Sequence, residues 1–433
     1  MIKQILTPLC TTLLLACGSF TASAAFNQSP PATGASETNG AYRNLASEFG
    51  KSGIQNKLTT NYNRMVSGST RIYYEFGNNQ AYIWTPDSND VRTEGQSWAM
   101  TIAVMMDDQT RFDKLWRFAK THQRNPLNSG PNELRGTFKW QLRINGNSVN
   151  VIDHAPAPDG ELYYAFALLN ADARWGSDGT FNYKADGESV LNTLRTKLMN
   201  NKNIIFSPYW TGVTDPSYQI PAFYEYFAFR ASSNKQYWRD AATTSRNFLK
   251  SHFNKIVDKL PTYLAYHNGW PATSTEKLDC NNDGVKENNP DRLLFCGQPN
   301  PGDMYEYDAW RVAMNIGLDA HLTGAEQWHK NTLNGILNFF DGERNNGNCT
   351  YLQRYQWGGP IGTDKCGTGQ VAANAAGLLG ATISKAKAGR FFNDFWNQSF
   401  PSGTYRYYNG SMYMLALLHA TGEFKFHGMA NSG

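Results

Sequence analysis

Apolar residues recur along this chain in blocks of two kinds, and the alternation of the blocks predicts its elements. In the first kind nearly every position of a helix-length stretch is apolar or small: residues 94–106, 160–173, 221–231, 307–322, 370–384 and 410–420. In the second kind apolar residues fall at helical spacing with charged residues between them: 111–121, 187–199, 237–253, 326–340 and 388–396. A helix that is apolar all round belongs inside an assembly, and one with an apolar stripe belongs outside. Each inner block but the last is followed by an outer one. Block 410–420 has none after it, and residues 42–49 and 54–66 supply the missing partner from the other end of the chain. The expectation is an all-α ring of six inner and six outer helices, which by closing removes the need for capping repeats. Connections 123–159, 254–306 and 342–368 are long enough to carry function. Residues 136–149 alternate, with an Asn145-Gly146 turn, and predict a β-hairpin. No Gly/Ser linker divides the chain, so residues 25–433 form a single domain.

Residues 1–24 have the order of a secretory signal peptide: Lys3, a short apolar run over 6–16, and an Ala22-Ser23-Ala24 cleavage site. Leu14-Leu15-Ala16-Cys17 is a weaker, lipoprotein-like alternative. The expected location is therefore secreted, extracellular or periplasmic, with no membrane-spanning body. After cleavage four cysteines remain, Cys280, Cys296, Cys349 and Cys366. An even count in an exported chain points to disulfides, with three pairings open. Near-neighbour pairing would close two Gly/Asn-rich loops, and no metal-ligand spacing supports zinc instead. Asp279, Asn281, Asp283 and Gly284 imitate the start of a calcium loop, but Pro290 stands where the bidentate glutamate is needed. Neither a metal nor a cofactor is expected.

Charged residues make up only 18% of the 433, and the net charge is +4 without a basic block, which argues against a nucleic-acid partner. Aromatics reach 14%. Few charges and many flat rings suit an uncharged, ring-shaped ligand.

Candidate chemistry lies at the starts of inner blocks. Glu94 opens one, Asp159 stands just before Gly160 at the next, and Asp308 opens a later one. Inner helices of a closed ring run parallel, so these acids share one end of it. Capping of helix N-termini is the competing reading for any one of them. A glycosidic bond, however, breaks when one carboxylic acid protonates the leaving oxygen and a second carboxylate deprotonates water, and a third acid helps to hold the first protonated. Sugar rings stack on flat platforms, for which Trp98, Trp140, Tyr218, Tyr305, Trp310, Tyr407 and Tyr408 are candidates. Arg92 and Arg311 are placed to pair with the acids.

Several segments in one order carry a resemblance: Arg92-Thr93-Glu94-Gly95-Gln96-Ser97-Trp98, Pro156-Ala157-Pro158-Asp159-Gly160-Glu161, Asp215-Pro216-Ser217-Tyr218, Tyr307-Asp308-Ala309-Trp310-Arg311 and Tyr405-Arg406-Tyr407-Tyr408-Asn409-Gly410. Over residues 25–426 the chain resembles glycoside hydrolase family 8, in particular its secreted, cold-adapted bacterial xylanases. The resemblance implies an (α/α)6 barrel with a cleft over the N-terminal ends of the inner helices, and inverting cleavage of β-1,4-linked polysaccharides. It implies Glu94 as general acid, Asp308 as general base, Asp159 as a contact to the sugar at the cleavage point, and Tyr218 close to the attacking water or the distorted sugar. It implies Trp140 as a stacking platform in the cleft, while Trp98, Tyr305, Trp310, Arg311, Tyr407 and Tyr408 are substrate-binding candidates from the residues themselves. The 280–296 segment departs from the pattern and bears on fine specificity.

The resulting expectation is an endo-1,4-β-xylanase, monomeric, with xylan as its partner. Other family activities compete: reducing-end xylose-releasing exo-oligoxylanase, cellulase, mixed-linkage glucanase and chitosanase. A non-catalytic carbohydrate-binding protein would keep the aromatics without needing the acids. A helical toroid gripping a protein would need neither.

Overall fold

The computed structural model describes residues 26, 28, 45–77, 79–256, 260–272, 304–356 and 359–430. The expected signal peptide, Cys280, Cys296 and the calcium-like loop lie outside them.

Twelve α-helices are formed among the described residues. They are α1 (Leu45–Val66), α2 (Thr93–Met105), α3 (Gln109–Phe118), α4 (Pro158–Trp175), α5 (Tyr183–Lys197), α6 (Pro221–Arg230), α7 (Lys235–Phe253), α8 (Arg311–Thr323), α9 (Gln327–Gly342), α10 (Thr368–Gly377), α11 (Lys385–Trp396) and α12 (Arg406–Thr421). The two expected kinds of block are both present. Every residue of α2 is buried, whereas α7 buries one face through Trp238, Ala241, Ala242, Ser245, Phe248 and Leu249.

Contacts between elements follow the alternation. Helix α2 packs on α4, α4 on α6, α6 on α8, α8 on α10, α10 on α12, and α12 returns to α2. Each inner helix also packs on the outer helix that follows it, and α12 packs on α1. The complement expected across the closure is therefore made. Helix α1 is continuous apart from a kink at Gly50, whose φ of 65° separates the two predicted pieces. Rings fill the interior, with Phe166 and Phe223 stacked at 4.0 Å.

Several ends shift by a few residues, as at the starts of α5 (Tyr183) and α12 (Arg406), and two boundaries differ for a visible reason. Helix α10 ends at Gly377 rather than running to residue 384. The backbone N–H groups of Leu378, Leu379 and Gly380 each reach back only three residues, the tightening of a helix end. Gly380 then lies so near α8 that an added Cβ would stand 2.6 Å from the Ala320 Cβ. The other is Tyr307–Trp310, which forms a single 3-10 turn ahead of α8.

Short strands occupy the loops. Strands β1 (Tyr73–Phe76) and β2 (Gln80–Ile83) make a hairpin. Strands β3 (Val91–Arg92), β4 (Gln141–Asn145) and β5 (Ser148–Asp153) make a three-stranded antiparallel sheet. The predicted hairpin is β4–β5, but it begins later than residue 136 and turns at Gly146 and Asn147, one residue beyond the expected Asn145-Gly146, because Asn145 still pairs with Ser148. Cys349 and Cys366 form a disulfide, the second of the two near-neighbour pairs.

Candidate active site

Glu94 sits in the first turn of α2 and Asp159 in the first turn of α4. Asp308 lies in the 3-10 turn leading into α8. Each acid therefore faces the positive end of an inner helix. In two cases the next residue is glycine, and the structure shows why. A Cβ at Gly95 would stand 2.2 Å from Cε2 of Tyr407, and one at Gly160 would stand 2.8 Å from the Thr93 Cβ. The α12 start and the α2 start approach so closely that no side chain fits between.

Arg311 ties the acids together. Its guanidinium is 1% exposed. Nη1 donates to Asp159 Oδ2 at 2.6 Å, and Nη2 lies 2.9 Å from Asp308 Oδ2. Trp98 and Tyr218 face the same guanidinium, with ring centroids at 5.3 and 5.6 Å. Two further hydroxyls converge on Asp308: Tyr408 donates to Oδ1 and Tyr263 to Oδ2, each at 3.0 Å. Tyr407 accepts from the Gly95 N–H at 2.9 Å and reaches Glu94 Oε1 at 3.4 Å.

Electrostatics separate the acids. Burial raises Glu94 to about 8, with the negative charges of Asp308 and then Asp159 adding to it and Arg311 and Arg92 opposing. Asp159 is raised to about 6, chiefly by burial, against the pull of Arg311. At neutral pH Glu94 thus keeps its proton, which suits it to donate one. Burial also lifts Tyr218, Tyr263, Tyr407 and Tyr408 well above the ordinary phenol value, so all four remain neutral O–H groups.

The expected stacking platforms divide into two sets. Trp140 is half-buried beside the α2 start. Its carbonyl accepts from the Thr93 N–H at 3.0 Å, and the Arg92 guanidinium lies 5.3 Å from its ring. Tyr408 is also half-buried. In contrast Trp98, Trp310 and Tyr407 are at most 1% exposed, and Tyr305 is 3% exposed. Tyr305 packs on Phe340 and Tyr355, and the Trp310 indole N–H donates to the Gln353 carbonyl. These rings are floor and wall, because a face without exposed area offers no surface to a sugar. For Trp98 and Trp310, helical spacing from apolar neighbours is the sign of that burial. Arg92 pairs with Asp90 at 3.2 Å rather than with an acid of the cluster.

Three residues that the sequence reading did not single out belong here. Tyr263 comes from the long 254–306 connection, where no pattern marked it. Asp215 caps the short turn carrying Tyr218, accepting from the Ser217 N–H at 2.7 Å. Its other oxygen is buried without a hydrogen-bond partner among the described residues, and burial, then the charge of Asp308, raises its pKa well above the usual carboxylate range. Tyr307 is 45% exposed and holds a φ of 38°, a left-handed conformation that is costly for a bulky residue and is found mainly at functional sites.

Residues 79–276 match the family model described as glycosyl hydrolases family 8. A reducing end xylose-releasing exo-oligoxylanase of Halalkalibacterium halodurans is 32% identical over 404 residues, covering 89% of this chain and 94% of the relative. The chain belongs to glycosyl hydrolase family 8. A solved cold-adapted family 8 xylanase is 46% identical, with a TM-score of 0.81, and is matched over 94% of this chain and all of its own. Endoglucanase 2 of Ruminiclostridium josui is 27% identical over 93% of this chain and 78% of its own length. Family 8 membership makes the protein a glycosidase acting on polysaccharide, and the cluster around Arg311 lies at the helix starts where the sequence reading expected its acids.

Proposed function

We propose that the protein is an inverting endo-1,4-β-xylanase, built as an (α/α)6 barrel, with Glu94 as general acid and Asp308 as general base. The observation that carries this reading is the cluster itself: one carboxyl held protonated beside two others that share one buried guanidinium. Glu94 donates its proton to the glycosidic oxygen as the bond from that oxygen to the anomeric carbon breaks. Asp308 takes a proton from water, and the resulting hydroxyl bonds to the anomeric carbon from the opposite face. The product carries inverted configuration, Glu94 ends ionised and Asp308 protonated, and exchange with solvent resets both. Asp159, fixed by Arg311, hydrogen-bonds the sugar at the cleavage point. Tyr218 stands beside the attacking water, and Trp140 and Tyr408 offer the accessible rings.

The 46% identity to a family 8 xylanase supports xylan as the substrate. A second reading, removal of xylose from reducing ends, is favoured by the curated relatives at 27–32% identity that carry that name. One time course separates them. Mid-length products from xylan at early times are expected, and xylose as the sole early product would replace the endo reading. Proton NMR of the first anomer formed tests inversion. Export through residues 1–24 and a monomeric state complete the proposal. Among the described residues no helix is long and apolar enough to cross a membrane.

A further inference from the structure

The β1–β2 hairpin turns one face to the core and the other away from it, as strand alternation requires. Tyr73, Ala81 and Ile83 point inward and are buried. The other face rests in part, through Phe76 and Tyr82, on a smaller apolar cluster of Val91, Phe118 and Leu142. It carries Tyr74 and Tyr82, paired across the strands with ring centroids 6.0 Å apart, and Trp84 follows with its ring 5.6 Å from Tyr74. All three are only half-buried. With Asn89, Asp90 and Gly146 they line a cavity of about 370 Å³.

The rings are fixed before any ligand arrives. The Trp84 indole N–H donates to Asn89 Oδ1 at 3.0 Å. The Arg71 guanidinium lies 4.5 Å from the centre of the Tyr74 ring and that of Arg406 lies 5.4 Å from the Trp84 ring. Flat apolar surfaces edged by the Asn89 amide match a pyranose, whose C–H faces are rimmed by hydroxyls. The cavity is separate from the acid cluster but adjoins it through side chains. Asp90 holds Arg92, and Arg92 lies over Trp140.

We propose that this cavity is a second carbohydrate-binding site, taking a sugar ring of the β-1,4-linked polysaccharide outside the cleft where cleavage occurs. The inference rests on the carbohydrate reading above for its ligand class alone. It is tested by native electrophoresis in gels containing xylan, hydroxyethyl-cellulose or mixed-linkage glucan. A Glu94→Gln background leaves the polymer intact. Combining Tyr74→Ala with Trp84→Ala is expected to weaken retention by roughly tenfold in apparent Kd. Trp84→Phe, which keeps a ring and guards against misfolding, is expected to retain most of it. With Glu94 restored, cleavage of xylotetraose by the double variant is expected to stay within about twofold of the parent, as a short chain needs only the cleft. Unchanged retention in every gel would overturn the proposal. So would an equal fall in retention and xylotetraose cleavage, which would make the cavity part of the cleft's support. Retention by a glucan instead of xylan, lost in the double variant, would displace the xylanase reading and leave the second site standing.

Discussion

Arg311→Met probes the cluster most directly, because it removes the one buried cation shared by Asp159 and Asp308 while leaving an apolar side chain of similar length. Breaking a buried ion pair by removing one partner costs about 3–5 kcal/mol, since the other charge is left uncompensated. That cost depends on the remaining carboxylates being ionised. Asp159 at about 6 and Glu94 at about 8 are both raised above their ordinary values, and Arg311 opposes the rise in each. Without Arg311 both move further up. A raised carboxyl contributes stability that is fully present below its unfolded pKa and is lost as pH rises through the folded one. The variant must therefore lose more stability at about pH 8 than at about pH 5, where most of these carboxyls are protonated.

Urea unfolding at both pH values measures the two differences. Activity is followed in Arg311→Lys, which keeps a charge but cannot span both acids. Losing one charge-assisted hydrogen bond of about 1.5–3 kcal/mol lowers kcat/KM roughly 10- to 100-fold. Equal destabilisation of Arg311→Met at both pH values would refute the electrostatic argument and leave Arg311 as a packing residue against Trp98 and Tyr218.

Glu94→Gln is expected to reduce kcat by at least about a thousandfold while oligosaccharide binding, measured by calorimetry, stays near the parent value. Glu161 is fully buried on α4, its Oε2 has no partner among the described residues, and burial raises it to about 8. Its raised value makes the parent less stable as pH climbs from 5 to 8. Glu161→Gln should flatten that slope by about 1 kcal/mol per pH unit, read from urea midpoints. Gly95→Ala drives a methyl into Tyr407 and is expected to cost about 1–3 kcal/mol, with activity falling as Tyr407 shifts from Glu94. Tyr407→Phe tests the hydroxyl separately, and a smaller loss of stability than in Gly95→Ala is expected by thermal melting.

Periodicity carried much of the fold because the difference between inner and outer helices is a difference in burial, and burial is written in composition. A wholly buried α2 and a one-faced α7 cannot be confused. Boundaries were less legible where tertiary contact decides them. Residues 378–384 are apolar enough to continue a helix, yet the chain leaves it at Gly377, just before Gly380 comes close to Ala320. In the site, acids at helix starts could be located because their position along each block is visible. Which aromatic is a platform and which is a wall was legible only in part, since helical spacing marks Trp98 and Trp310 for burial and nothing comparable marks Tyr305 or Tyr407. Tyr263 was invisible for another reason. Its role depends on where a long connection returns, and no local pattern encodes that.

The same architecture explains why the acids and the small residues occur together. A carboxyl at a helix N-terminus gains from the dipole and would ordinarily ionise readily. Raising Glu94 to about 8 requires burial and neighbouring negative charge strong enough to overcome that gain. Both come from bringing helix starts into near contact. Gly95 admits Tyr407, and Gly160 admits Thr93. Repulsion among three buried carboxyls would otherwise force the starts apart, and Arg311, two of whose nitrogens meet two of the acids, offsets it. Glycine after the acid, a guanidinium between acids and tyrosyl hydroxyls aimed at Asp308 are thus one solution to a single problem: holding Glu94 protonated within a tight group of carboxyls.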